Sequence, residues 1–243
     1  ATEGKKVLVI DLDPQGNAST AMGAEHSSGT DSSYELLLGD CTAEKAMQAS
    51  PHNSNLYCIP ATIDLAGAEI EMVSLVRREF RLYDALHKGF LEEHGFEYVF
   101  IDCPPSLGLL RINAMTGGGE VIIPIQCEYY ALEGLSALVE TIDALRANLN
   151  PALEIEGVLR TMFDVRNNLA NAVSAELTEH FGDRVFRTIV PRNVRLAEAP
   201  SHGQSIVGYD RASRGGVAYL GLAGEIIRRN NERNKATKAV ETV

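Results

Sequence analysis

Two short apolar runs, each ending in acidic residues, stand out in a chain that otherwise alternates buried-strand and amphipathic-helix patterns. Val7 to Ile10 is an unbroken run rich in branched residues, which suits a strand buried on both faces of a parallel sheet. Asp11 and Asp13 fall at its carboxyl end, and Pro14, Gln15, Gly16 and Asn17 then break the strand into a loop. Glu97 to Asp102, EYVFID, repeats the arrangement and is followed by Cys103-Pro104-Pro105-Ser106-Leu107-Gly108. Leu56 to Pro60, Glu120 to Ile125, Ile155 to Met162 and Val185 to Val190 read as further strands. Arg160 is unexpected in so apolar a run and marks an edge or a solvent-facing strand.

Helical spacing fills the intervals. Ala1 to Lys6 reads as a helix end closed by a left-handed Gly4, and Gly23 to Ser33 as a surface loop. Short helices are predicted at Tyr34 to Leu38 and, capped by Thr42, at Ala43 to Ala49. Asp64 caps a helix carrying Leu65, Ala68, Ile70 and Met72. Val76 to His94 reads as one longer amphipathic helix with Phe80, Tyr83, Leu86 and Phe90 as its core stripe. Further helices are expected at Leu109 to Met115, from the QCEYYALEG stretch to about Asn148, at Asn167 to Phe181 and at Gly215 to Arg229. Strands alternating with helices predict a three-layer α/β fold around a mainly parallel sheet, in a single domain.

Composition narrows this little. With 243 residues, 45% of them hydrophobic, the chain is large enough for one sizeable core. No apolar run approaches the roughly 20 residues of a bilayer span, so a cytoplasmic location is expected and no membrane partner. Cys41, Cys58, Cys103 and Cys127 are scattered without a CxxC pair, which suggests neither a zinc site nor a disulfide framework. The net charge of -11 confines any contact with nucleic acid to a local basic patch.

The candidate chemistry lies at the two acidic strand ends. Open α/β sheets bind ligands beyond the carboxyl ends of their strands, and a carboxylate there can hold Mg²⁺ through its water shell. Asp, Pro, Gly and Asn are also common in plain turns; two such strand ends in one chain make a plain turn the weaker reading.

The stretches VLVIDLDPQGNAST, PATIDLAGAEIE, FIDCPPSLGLL, IPIQCEYYALEGLSAL, TMFDVRNNL and VPRNVRLAEAPSHG together resemble, in content and order, the ParA/Soj chromosome- and plasmid-partitioning ATPases, a deviant Walker-motif group that also contains MinD. The resemblance implies a P-loop NTPase-like fold with ATP and Mg²⁺ as cofactors. It implies that Asp13 positions the attacking water and that Asp11, in the same motif, sits beside the Mg²⁺ shell. Asp102 would be the Walker B carboxylate, next to Pro104 in the cofactor-binding loop. Met162, Pro191, Arg192 and Asn193 fall where the family surrounds the adenine ring. Arg195, Arg211 and Arg214 lie in the region used for nonspecific DNA binding. Arg228, Arg229, Arg233, Lys235 and Lys238 form a basic tail from about residue 230, for which a solvated helix end is the plainer reading. The implied partners are nonspecific DNA, a ParB-like centromere-binding protein and a second copy in an ATP-bound dimer, with the nucleoid as location.

The departures are as specific as the matches. The family's KGGxGK[ST] phosphate loop is found nowhere in the 243 residues. That loop supplies the backbone amides and the Lys that hold the β and γ phosphates. We therefore expect an amino-terminally incomplete chain, lacking a strand, the loop and most of a helix, roughly 25 to 30 residues. In the family that strand is central, so its loss would leave two unpaired strand edges. Gly117-Gly118-Gly119, Arg160 and Asp210-Arg211-Ala212 are smaller local departures. An ATPase-silent adaptor that keeps the fold is the alternative function. A MinD-like membrane regulator is disfavoured by the polar sequence after Ile227, and an iron–sulfur relative by the lack of a second Cys ligand beside Cys103.

Overall fold

The structure, a computed structural model, describes residues 1–87 and 89–241, with side chains through Lys235. The chain divides into two compact units. The first comprises residues 1–120, 141–154 and 200–205; the second comprises 121–140, 155–199 and 206 onward. Each unit carries a sheet flanked by helices.

The sheet of the first unit contains β1 (Val7–Asp11), β2 (Gln48–Ala49), β3 (Leu56–Ile59) and β4 (Tyr98–Asp102) in the order β2-β3-β1-β4. β1 lies parallel to β3 and to β4, and its register sets Asp11 opposite Asp102. Leu8 and Ile10 are completely buried, as an unbroken apolar run in a central strand requires. They share a core with Leu37, Ile59, Leu65, Met72, Leu82 and Leu86. Among the described residues β4 is hydrogen-bonded on the β1 side only, and Phe100 on it is exposed.

Several expectations change here. The stretch from Ala43 is a helix only to Ala46, with Thr42 accepting the Lys45 amide as its cap; Gln48–Ala49 instead pairs antiparallel with β3. Asp64 stands at the head of the helix Leu65–Glu71 but does not cap it, because its carboxylate accepts the Ser28 hydroxyl. Ile70 on that helix is exposed. The predicted long helix from Val76 is broken into a 3-10 turn Arg78–Phe80 and helices Arg81–Leu86 and Phe90–His94. Arg77 at φ 55° and Gly89 at φ 99° are left-handed, a conformation no α-helix can pass through. With the helix interrupted, Leu82 takes the core position and Tyr83 lies outside, stacked on His87 at 4.1 Å. Ala1 to Gly4 is a turn, with Gly4 left-handed as expected and its amide donating to the Ala1 carbonyl.

The second unit holds β5 (Glu120–Gln126), β6 (Glu154–Phe163) and β7 (Val185–Pro191) in that order, with β6 and β7 parallel. Arg160 therefore lies on the middle strand, neither at an edge nor facing solvent. Its guanidinium is accommodated by donating to the Ser174 hydroxyl at 2.9 Å and the Phe186 carbonyl at 2.7 Å. Leu159, Phe186, Val190 and Leu222 form the core. The last helix, Arg214–Glu241, extends well past Arg229 and is pinned to β7 by Glu225. That buried carboxylate accepts the amides of Arg187 and Thr188 and the Thr188 hydroxyl, closing an otherwise open strand edge.

Candidate nucleotide site

Asp11 ends β1 completely buried, and both its oxygens are engaged. Oδ1 accepts the Asp13 amide at 3.0 Å; Oδ2 accepts the Ser19 amide at 2.8 Å and the Ser19 hydroxyl at 2.7 Å. Ser19 in turn accepts the Ala61 amide through Oγ at 2.9 Å. A buried carboxylate that receives three donors orders what surrounds it, so Asp11 shapes the loop between the strand and the helix Asn17–Met22. Gly16 makes the turn at φ 64°. A Cβ there would crowd His26 and the Ala61 carbonyl, so the position needs glycine. The loop presents Asp13, half-buried, with Oδ1 accepting the Gln15 amide at 3.0 Å.

Asp102 reaches the same strand end from β4, and the Leu12 amide donates to its carbonyl. Its carboxyl pKa is pushed up to about 6, first by protein that displaces water around it and then by the charges of Asp11 and Asp13. The residue remains exposed to solvent at the strand end. Three carboxylates crowded this way favour a cation. Among the described residues no group of three His, Cys, Asp or Glu side chains could hold a metal ion by itself. Mg²⁺ fits this donor set in the manner usual for it, through one or two carboxylates, waters and substrate phosphates. Both oxygens of Asp11 are hydrogen-bonded, so Asp102 and the second oxygen of Asp13 are the ones that could meet such an ion's water shell. Pro104, two residues on, has its carbonyl fixed by Arg111, which also binds the Pro105 carbonyl.

Within the second unit, Met162 and Arg192 line one cavity of about 210 Å³ together with Gln126, Cys127, Glu128 and Asn167. Met162 is left-handed at φ 51°, and the pairing of β6 with β7 shifts register around it. A non-glycine residue in that region costs energy and is often a mark of function. The Arg192 amide donates to the Phe163 carbonyl, which ties the end of β7 to the cavity. Pro191 closes β7, whereas Asn193 is occupied as the cap of the helix Val194–Glu198, its Oδ1 accepting the Arg195 amide.

The basic residues separate into two kinds. Arg211 and Arg214 are exposed and make no ion pair with the described residues. Arg195 is tied to Glu198 at 2.9 Å and lies 3.6 Å from Asp210. In the expected basic tail, Arg229 packs over Phe186 and donates to the Glu156 and Val185 carbonyls, and Arg233 pairs with Glu156 at 2.8 Å. Both fasten the last helix and belong neither to a free tail nor to a solvated end. The side chain of Lys238 lies outside the described residues. No helix among them is long and apolar enough to cross a membrane.

Ser19, Arg111 and the cavity residues Gln126, Cys127, Glu128 and Asn167 were not assigned to the site from the sequence. A buried hydroxyl eight residues after a strand-end Asp has no distinctive spacing, and the cavity residues come together only through the fold.

A family model described as AAA domain matches residues 1–155. The sporulation initiation inhibitor protein Soj of Bacillus subtilis is 50% identical over 223 residues, 92% of this chain and 87% of that protein. The chromosome partitioning protein ParA of Myxococcus xanthus is 46% identical over 96% of this chain and 81% of its own length. Among solved structures, cobyrinic acid a,c-diamide synthase from Mycobacterium smegmatis, with bound ATP analog and magnesium, superposes with a TM-score of 0.78 at 32% identity, covering 95% of this chain and 85% of that one. With half its residues shared with Soj over nearly its whole length, the chain belongs to the ParA/Soj family of partitioning ATPases.

Proposed function

We propose that this protein is an ATP-dependent DNA-partitioning motor whose ATP-bound dimer holds DNA nonspecifically and whose hydrolysis is stimulated by a ParB-like partner at the nucleoid. ATPase chemistry and a partitioning role come with the family; the dimer, the DNA and the partner are the proposal. The observation that carries it is the convergence of Asp11, Asp13 and Asp102 at the adjacent ends of β1 and β4, where burial first and then the charges of Asp11 and Asp13 push the Asp102 pKa up.

The geometry supports the following roles. Asp11 spends its oxygens on the Asp13 amide and on Ser19, and so sets the loop rather than meeting substrate. Asp13 keeps one oxygen outside its bond to Gln15 and orients the attacking water. Asp102 holds the Mg²⁺ water shell, and the ion, when bound, neutralises charge on the phosphates. Within the second unit, the cavity lined by Met162 and Arg192 would take an adenine ring, with Pro191 beside them at the end of β7. Arg211 and Arg214 contact DNA phosphates.

A phosphate loop is still required to hold the phosphates, because no KGGxGK[ST] stretch in the 243 residues supplies its Lys and its run of amides. Isothermal calorimetry tests this. The 243 residues alone are expected to give no heat with Mg-ATP, and the same residues joined to a KGGxGK[ST] phosphate loop to bind in the micromolar range. Micromolar binding by the 243 residues alone would refute the requirement, and no binding by the loop-bearing chain would favour the silent adaptor.

A further inference from the structure

The two carboxylate loops of the first unit are connected by a segment that nothing above assigns to the site. At one end, the Ala61 amide donates to Ser19 Oγ, which itself donates to Asp11 Oδ2. Eight residues on, Glu69 lies on the helix Leu65–Glu71, and its Oε1 accepts the Leu110 amide at 3.1 Å. Leu110 belongs to the first turn of the helix Leu109–Gly117, which has no cap from its own Gly108. That helix starts where the loop after Asp102 ends. Its Arg111 donates to the Pro104 carbonyl at 2.9 Å and the Pro105 carbonyl at 2.6 Å, fixing the middle of the same loop. The approach is close: a Cβ on Gly108 would collide with the Glu69 carboxylate.

From this continuous path we infer that Glu69 is a positioning residue for nucleotide hydrolysis. It holds the Cys103–Gly108 loop, and with it the Asp102 carboxylate, in register with the loop that carries Asp11 and Asp13. Two physical facts favour the bond. A carboxylate at a helix amino terminus is stabilised by the unsatisfied amides there, and a bond to an ionised acceptor is stronger than one between neutral groups. Because the helix Leu65–Glu71 follows Ala61 by only a few residues, a shift in either carboxylate loop is transmitted to the other. The inference rests on the proposed role of Asp102 for its catalytic consequence, but not for the contact itself.

The test uses two variants and two readouts. Glu69→Ala removes the acceptor; Glu69→Gln keeps a carbonyl oxygen in reach of the Leu110 amide. Hydrogen exchange followed by mass spectrometry on peptides covering residues 103–112 should show exchange at Leu110 accelerated roughly tenfold in Glu69→Ala and near wild type in Glu69→Gln. In the protein carrying its phosphate loop, Glu69→Ala should raise the Mg²⁺ concentration for half-maximal ATPase activity several-fold, with Glu69→Gln restoring it. Unchanged exchange in Glu69→Ala overturns the contact. Faster exchange with an unchanged Mg²⁺ requirement overturns the positioning role, and so does a Gln variant that behaves like Ala, since the acceptor oxygen it keeps would then make no difference. A wild-type protein without ATPase activity would instead sink the proposed function and leave the exchange result to decide the contact.

Discussion

At the residue scale, three aspartates on adjacent strand ends have been given three different environments. Asp11 is buried and fully hydrogen-bonded, Asp13 is half-bonded on a glycine-dependent turn, and Asp102 is exposed and short of donors. The consequence for pH follows from Asp102. Its folded pKa lies above its ordinary value, so ionising it opposes folding, and that cost appears as pH rises from the ordinary value near 3.8 through about 6. Asp102→Asn should therefore raise the Tm of the nucleotide-free protein at pH 7 to 8 while weakening its Mg²⁺ dependence. Wild-type Mg-ATP affinity should fall as pH drops through about 6, where protons compete with the ion. Calorimetry across pH 5 to 8 checks both the sign and the window.

At the element scale, the clearest determinant outside the site is Glu225. Burial alone would raise its pKa, but donors from Arg187, Thr188 and Arg229 outweigh burial and hold it below the usual carboxylate range. A depressed folded pKa contributes stability above the ordinary value of about 4.5, lost as pH falls through the lower folded value. Glu225→Ala should cost about 2 kcal/mol, the size expected when two strand amides lose a charged acceptor, measurable by urea unfolding at pH 7. The deficit relative to wild type should shrink on acidification. What could be read from the sequence divides along the same line. Buried strands were legible because runs such as Val7 to Ile10 have no other stable use, and both acidic strand ends were found with them. The helix predicted from Val76 failed because periodicity carries no information on the left-handed turns at Arg77 and Gly89. Arg160 and Arg229 were misjudged because a buried arginine depends on carbonyls from distant strands, as Asp11 depends on Ser19, and such pairings have no local signature.

At the scale of the whole molecule, the net charge of -11 confines the proposed DNA contact to few charges. Arg211 and Arg214 are exposed and unpaired among the described residues, whereas Arg195 is already offset by Glu198 and lies near Asp210. In a salt titration of DNA binding by the ATP-bound protein, Arg211→Ala and Arg214→Ala should each lower the slope of log affinity against log salt by roughly one unit, equally on unrelated DNA sequences. Arg195→Ala should change it less. A loss restricted to one DNA sequence would indicate contacts to bases instead.

The family membership carries ATPase chemistry with it; the assignment of that chemistry to the strand ends of β1 and β4 turns on Asp13. A carboxylate that orients water acts in the transition state and contributes little to holding the nucleotide. The decisive measurement is steady-state ATPase activity together with Mg-ATP affinity for Asp13→Ala in the protein carrying its phosphate loop. Turnover should fall at least roughly a hundredfold while affinity stays within about threefold of wild type. An Asp13→Ala protein that hydrolyses ATP at the wild-type rate, or one that loses nucleotide binding altogether, would contradict the account.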